Sequence, residues 1–567
     1  MGRRSGGLEP PLSSGAPQAF AARAEARQAP AVDDRTVVFE NRVAYPHAPM
    51  SFDSRRSRAA LAAVLLPAVS GLVHGQDEPA ESAPAVLELT LEEAVRIALD
   101  QNLDVVIEEE TTAIERYSYL GSWGAFDPIV SVTGSARDSE TEGFSDLSGG
   151  DVIEEDELSL SGGLLVPFKT GGSFQLDYSH SNLETNNQFS LFDTSTTDVV
   201  TAQLTQPLLR GAWTRYATTD QQEARIRFEK QSERNREVRQ NLLLSVHNAY
   251  WDLVAAREEF GVRQKAVELG EKQLVDDRRR EEVGVGTQVD VLQAETNVAT
   301  QEEQRLLAES NVRAAADALR ALLFRKTAED AWGEYIESWD VPIEPLTPLP
   351  DPDPSALHER VGDVFPEWSD SLLLAIERRS ELKQQRLEID AAEVRLLRAQ
   401  SNVKHQLDLT LTARSTGFDG DSSEALEKAV GYDFPSYTAA LTWSFPIFNR
   451  TADNAERAAR AAVRLARLTY QRIEMGIVSE VRAAVRDLHY QAEAVQAAVK
   501  RVTLAKKQLE AEQSAYREGL STTFQVLDFQ QQLSQALSSE KAARAAYAKA
   551  VAALARAEGR LGEEPEP

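Results

Sequence analysis

VHNAYWDL (Val246–Leu253) and VRAAVRDL (Val481–Leu488) lie 235 residues apart, and the register between them runs unbroken for almost fifty residues. Lys272-Gln273-Leu274 returns as Lys507-Gln508-Leu509, Gly284 as Gly519, and Val291-Leu292 as Val526-Leu527. A repeat this long is two copies of one structural unit, beyond the roughly 20–50-residue period of a solenoid. Each copy sits in a run without proline. Tyr216 to about Glu282 holds only Gly261 and Gly270, and Thr451 to about Glu518 holds only Gly476. Each run predicts a helix of about 66 residues, or about 100 Å. Both have the Ala/Glu/Arg/Gln/Leu-rich composition of coiled coils. Short turns follow, VGVGT (Val283–Thr287) and EGLST (Glu518–Thr522), and then a second helix. The helix opening each half, Leu91 to Ser122 or Leu372 to Asn402, adds to that second helix to give nearly the length of the long one. The two shorter helices can therefore stack end to end beside it.

The opening helix has its own start signal. Thr90 is the expected N-cap and Glu93 completes a capping box. Between the opening and long helices the period changes from 3.6 to 2. Leu158, Leu160, Gly162 and Leu164 alternate with small polar residues, as do Phe174, Leu176 and Tyr178, and Val200, Ala202 and Leu204. In the second half, Leu407, Leu409 and Leu411 alternate with Asp408, Thr410 and Thr412. Tyr437, Ala439, Leu441, Trp443 and Phe445 follow the same rule. Such strands fit a membrane barrel, apolar outside and polar inside, as well as a soluble sheet. Long polar loops at 138–156 and 179–197, against the tight turn Lys169-Thr170-Gly171-Gly172, favour the barrel.

The 567 residues carry a net charge of −29, which argues against a nucleic-acid partner. Cysteine is absent, so disulfides, thiol chemistry and Cys-bound metals are excluded. The seven histidines show no metal-ligand spacing, and no Gly-rich turn ends in the Lys-Ser/Thr of a phosphate loop. The chain is therefore read as a non-enzyme without cofactor. Arg55-Arg56-Ser57-Arg58, the apolar stretch Ala59–Val73 and Val73-His74-Gly75 have the layout of a secretory signal peptide behind Met50. The expected order is an extension at 1–49, a signal peptide at 50–75 and a linker at 76–88. The first repeat covers 89–340, with strands within 127–208 and a turn near 284. A Pro-rich linker at 341–370 precedes the second repeat at 371–560, with strands within 405–447 and a turn near 519. An acidic tail, 561–567, ends the chain.

Together these segments resemble the TolC family of outer-membrane efflux and secretion channels over roughly residues 85–560. The resemblance rests on LTLEEAVRIALDQN (Leu89–Asn102), LTQPLLRG (Leu204–Gly211), WSFPIFNR (Trp443–Arg450), GTQVDVLQAE (Gly286–Glu295) and TTFQVLDFQQ (Thr522–Gln531). It implies an α+β membrane protein: a coiled-coil α-helical barrel joined to a transmembrane antiparallel β-barrel, two repeats per chain, three chains per assembly. It implies an exit duct in the outer membrane, with lipid around its barrel. A periplasmic adaptor and an inner-membrane pump would be its partners. The alternative is a periplasmic coiled-coil scaffold or adaptor without a membrane barrel. The family pattern has two strands per repeat, hence twelve in a trimer. Here the segment between the opening and long helices is about 40 residues longer in the first repeat and shows four strand patterns, near 129–136, 158–166, 173–178 and 199–206, which leaves four or six barrel strands per chain open.

By the same resemblance, Gln525 and Asp528 fall on the two ring positions of a pore constriction, three residues apart on one helix face. Asp290 takes the corresponding place in the first repeat. Ser521 stands where well-known members carry an arginine that holds the tip closed. Gly284, Gly286, Gly519 and Leu520 mark the turns that would meet the adaptor. Glycine also serves such turns by allowing φ > 0, and Asp290 and Asp528 also read as solvated surface carboxylates.

Overall fold

The computed structural model describes residues 86–143, 149–325, 331–352 and 368–562. The expected extension, the signal peptide, the linker up to residue 85, residues 353–367 of the Pro-rich stretch and most of the acidic tail lie outside these.

Helix α1 (Leu91–Gln101) begins at the expected capping box. Thr90 N donates to Glu93 Oε2 at 2.9 Å, and Glu93 N donates back to Thr90 Oγ1 at 3.2 Å. The opening helix was expected to run unbroken to Ser122. It breaks at Asn102, which leaves the helical region, and α2 (Leu103–Ser122) starts anew. The Asn102 side chain explains the break. Its Oδ1 accepts from Asp104 N at 2.9 Å, and its Nδ2 donates to Leu322 O at 3.0 Å. Four strands follow: β2 (Ile129–Glu142), β3 (Val152–Pro167), β4 (Ser173–Thr185) and β5 (Thr194–Pro207). They absorb most of the expected long loops. These outer strand halves are mostly polar on both faces, with only Val152, Ile153 and Leu183 as large apolar residues near their ends, so hydrophobic alternation could not reveal them. β1 (Leu87–Leu89) pairs in parallel with β6 (Ile343–Pro345), so both stretches read as linkers contribute a strand.

One turn, α3 (Thr214–Ala217), leads into α4 (Thr219–Glu282). The α5 helix (Gln288–Leu323) returns beside it. The 64 residues of α4 make a rod of about 96 Å. Beside it α2, α1 and α5 succeed one another. Gln231 reaches Glu108 of α2, Tyr250 reaches Leu89 before α1, and Arg263 and Arg278 reach Gln304 and Glu295 of α5. The stacking follows the length argument. A short helix, α6 (Trp332–Asp340), was not anticipated.

The second half repeats the order. The expected Leu372–Asn402 helix is again two pieces, α7 (Trp368–Arg378) and α8 (Ser380–Val403), broken at Arg379. Arg379 donates to Ala557 O at 3.2 Å. Ala557 lies 235 residues beyond Leu322, which serves the break at Asn102. β7 (Gln406–Asp419) and β8 (Pro435–Ser444) enclose a helix, α9 (Ser422–Val430), that alternation does not signal. Gly417 admits it, because a Cβ there would stand 1.8 Å from Ala425 O. Last come α10 (Arg450–Arg517) and α11 (Thr523–Ala557).

The six long strands form one antiparallel sheet, ordered β2-β3-β4-β5-β7-β8. Along β3 the apolar Leu158 and Leu160 are exposed, while the alternate Glu157 and Ser159 are half-buried. The apolar face is thus the outward one on that strand. The two largest of the apolar clusters among the described residues hold the rods together at mid-length. Val246, Tyr250 and Leu253 pack with Ala94, Ala98, Leu319 and Leu323, and Val481, Leu488 and Val495 pack with Ala375, Leu382 and Leu554. Val246 and Val481, opposite each other in the repeat register, are both fully buried. Each buried Leu or Val contributes about 1.5–3 kcal/mol relative to exposure. Ion pairs then tie α4 to the other half, among them Lys230–Glu388, Arg395–Glu223 and Lys541–Glu258 at 2.6–2.9 Å. Among the described residues no helix is long and apolar enough to cross a membrane.

Candidate aperture at the helical tip

Both long helices end in the same way. Gly284 and Gly519 adopt φ of +78° and +76°, with open space where a Cβ would be. Backbone conformation alone therefore calls for glycine at these two positions. The amides beyond close onto the last turn, Val285 N onto Arg280 O and Leu520 N onto Ala515 O, each at 2.9 Å. The next helix starts two or three residues later on a second capping box. Thr287 N and Oγ1 donate to Asp290 Oδ2 at 3.0 and 2.6 Å, and Asp290 N donates to Thr287 Oγ1 at 3.3 Å. Thr522 and Gln525 repeat the pattern, with Thr522 N donating to Gln525 Oε1 at 3.3 Å. The residues expected on constriction positions, Asp290 and Gln525, are thus the third-position partners of helix caps. Capping chemistry fits both residue types, since each offers an acceptor oxygen to an unpaired backbone N–H.

Asp528 lies one turn further along α11. Its carboxylate is exposed and accepts from Gln532 Nε2 at 2.7 Å, while Val526 and Leu527 beside it are buried. Ser521, on the position expected of an arginine, donates to Glu512 and to Gln525 Oε1. The turns themselves are apolar. Val283, Val285, Leu520 and Phe524 are all at least 65% exposed. Neither polar solvation nor the core accounts for four large apolar side chains at one extremity.

The principal polar junction of the tip was not foreseen. Asp277, on α4, is 1% exposed. The Tyr516 hydroxyl donates to its Oδ1, as do Gln273 Nε2 at 3.0 Å and Thr523 Oγ1 at 3.3 Å. Asp277 Oδ2 has no partner. Arg280 lies 4.3 Å over the Tyr516 ring and donates to Tyr516 O at 3.2 Å. Burial pushes the Asp277 carboxyl above the usual carboxylate range, while the donors from Tyr516, Gln273 and Thr523 pull it down. This junction joins the first-half rod to the second-half rod at their common end. One signal was available: Asp277 plus 235 is Glu512, the acid that accepts from Ser521, so each half carries a carboxylate there.

The sequence profile of the family described as outer membrane efflux protein matches residues 172–323 and 372–560. These two segments, 152 and 189 residues long, cover more than half of the 567-residue chain. The proteases secretion protein PrtF of Dickeya chrysanthemi is 23% identical over 342 residues, 59% of this chain and 66% of that protein. The match thus spans just under two thirds of that relative's length. Among solved structures, the Campylobacter jejuni CmeC outer membrane channel superposes with a TM-score of 0.58 at 14% identity, covering 84% of this chain and 87% of that one. The open-state Neisseria gonorrhoeae MtrE outer membrane channel gives 0.56 at 17% identity, covering 88% and 98%. The fold is that of these channels, and with its profile matched in both halves the chain belongs to the outer membrane efflux protein family.

Proposed function

We propose that three copies of this chain form a passive exit duct through the bacterial outer membrane. The duct receives substrate from a periplasmic adaptor and an inner-membrane pump and does no chemistry itself. The observation that carries this reading is the family match in both halves, on a fold that sets a single antiparallel sheet at one end of helices about 100 Å long. The six-stranded sheet is open, with β2 and β8 at its edges, and an open strand edge in lipid leaves backbone groups unpaired. Further copies answer that need. The 235-residue register, the paired helix breaks and the paired tip turns support two duplicated halves.

In this reading Asp528 lines the aperture, with Asp290 and Gln525 capping the helices beside it. The apolar tip turns around Gly284, Gly286, Gly519 and Leu520 are the adaptor-contact surface. PrtF is named for protease secretion and CmeC and MtrE are outer membrane channels, which supports export from the cell as the common task. Cell fractionation tests the reading. The full chain should remain with outer membranes after a carbonate wash. Release into the soluble periplasmic fraction would instead identify a scaffold.

A further inference from the structure

We propose that the hairpin β2–β3 is part of the barrel wall, so that the assembled duct has eighteen strands rather than twelve. This rests on the trimeric-duct reading above. The sheet carries the inference. β2 pairs with β3 over fourteen residues and β3 with β4 over thirteen, as long as the twelve-residue pairings of β4 with β5 and β5 with β7. The hairpin is therefore hydrogen-bonded as fully as the strands of the family pattern.

The turn that joins the hairpin to β4, at Lys169–Gly172, is also anchored. Trp213 N donates to Thr170 O at 2.9 Å, Gln206 Nε2 donates to the same carbonyl at 3.2 Å, and Thr170 Oγ1 donates to Gln206 Oε1 at 2.9 Å. Lys169 stands 4.7 Å over the Trp123 ring. Gly171 packs so closely that a Cβ would meet Gly211 O at 2.4 Å. The hairpin is thereby clamped at the strand-to-helix junction and cannot swing clear of the sheet without breaking these contacts.

The register supplies an independent argument. Crossing the sheet from Ile129, the paired residues are Leu165, Gln175, Gln203, Thr412 and Thr438. Ile129 and Ser444 are the strand ends nearest the helices, and Thr438 lies six residues short of Ser444. Part of the drift arises within the hairpin: Ile129 pairs through Leu165 to Gln175, two residues beyond the start of β4. The hairpin therefore tilts with the rest.

The free edges are complementary. β2 runs away from the helices and β8 runs toward them, so β2 of one copy meets β8 of the next antiparallel. Both present apolar side chains on the same sheet face, Val130 and Val132 on one and Leu441 and Trp443 on the other, all exposed in the single chain. Pairing Val132 with Leu441 of the next copy keeps that face continuous and sets Ile129 opposite Ser444. The offset is then six residues per copy of six strands. At about 3.3 Å per residue and 4.8 Å between strands this is a tilt of about 35°, at the lower edge of the 35–45° usual for barrels. Because diameter grows roughly linearly with strand number, eighteen strands make the outer end about 1.5-fold wider than twelve. The exit would then not be what limits cargo size.

The absence of native cysteine makes the test direct. The full-length double variants Val132→Cys/Leu441→Cys and Val132→Cys/Trp443→Cys are oxidised in outer membranes and run without reductant. Covalent trimers from either pair, absent from each single variant, are expected. Leu176→Cys/Leu441→Cys reports β4 as the edge instead. Trimers from that pair alone would place the hairpin outside the wall and overturn the proposal. No cross-link from any pair in a protein that is still trimeric by native mass would overturn it and leave the duct reading intact. Absence of trimers altogether would defeat the duct reading and this proposal with it.

Discussion

Replacing Tyr516 with Phe should loosen the tip without disturbing the rods. The substitution keeps the ring under Arg280 and removes one hydroxyl, which is one of three donors to a buried carboxyl. Leaving a buried acceptor short of a donor costs about 1–3 kcal/mol. At about 1.4 kcal/mol per tenfold, the local opening equilibrium should rise roughly 5- to 150-fold. The effect should stay local, because the helical cores around Val246 and Val481 share no residue with the junction. Hydrogen exchange read by mass spectrometry on peptides spanning 268–282 and 509–530 measures it. Those peptides should lose protection by that factor while peptides around 246–254 and 481–495 do not change. In a double-mutant cycle with Asp277→Asn, the coupling should exceed about 0.5 kcal/mol, the level at which distant sites behave additively. Unchanged exchange at the tip, or full additivity, would refute the idea that this hydrogen bond holds the two halves together.

Other outcomes follow from the same geometry. Burial raises the Asp277 carboxyl, so the folded tip binds that proton more tightly than the unfolded chain. Its contribution is present below the ordinary carboxylate range and is lost as pH rises through the raised value. Tip protection should therefore fall across that window, and Asp277→Asn should flatten the slope. Arg at Leu441, on the outward apolar face, should cost about 2–4 kcal/mol of membrane stability near the bilayer midplane, and Arg at Thr442 far less, measured by denaturant unfolding in lipid. Equal costs at the two positions would contradict a lipid-facing side. Asp528→Ala should lower cation selectivity in planar bilayers with assembly intact. An unaltered reversal potential would show that the carboxylate faces away from the pore.

The features read correctly from sequence were those written in local chemistry. The two rods announced themselves by the absence of proline over more than sixty residues. Thr90 with Glu93 marked the first helix start, and Gly284 and Gly519 marked the turns. Alternation found the apolar inner half of each strand. It failed toward Glu140, Glu154 and Glu184, where both faces are mostly polar. The breaks at Asn102 and Arg379 were missed because each side chain reaches a carbonyl more than 170 residues away, although the cap of Asn102 onto Asp104 N is local. The α9 helix was missed for a similar reason, since the space over Gly417 that admits it exists only once β7 is paired. At the tip, the resemblance pointed to Asp290 and Gln525. Their local role as capping partners was legible from Thr287 and Thr522 three residues before each, a spacing already recognised at Thr90 and Glu93. Asp277 shows in the sequence only as the repeat partner of Glu512, because Tyr516 and Thr523, which define its role, come from the other half of the chain.

The central claim is that this chain assembles into a water-filled duct across the outer membrane. Reconstitution of the purified full-length protein into planar lipid bilayers tests it most directly. The account predicts discrete, uniform conductance steps that appear with added protein and favour cations. A protein that binds the bilayer or remains in solution without any conductance step, while folded and intact by circular dichroism, would contradict it.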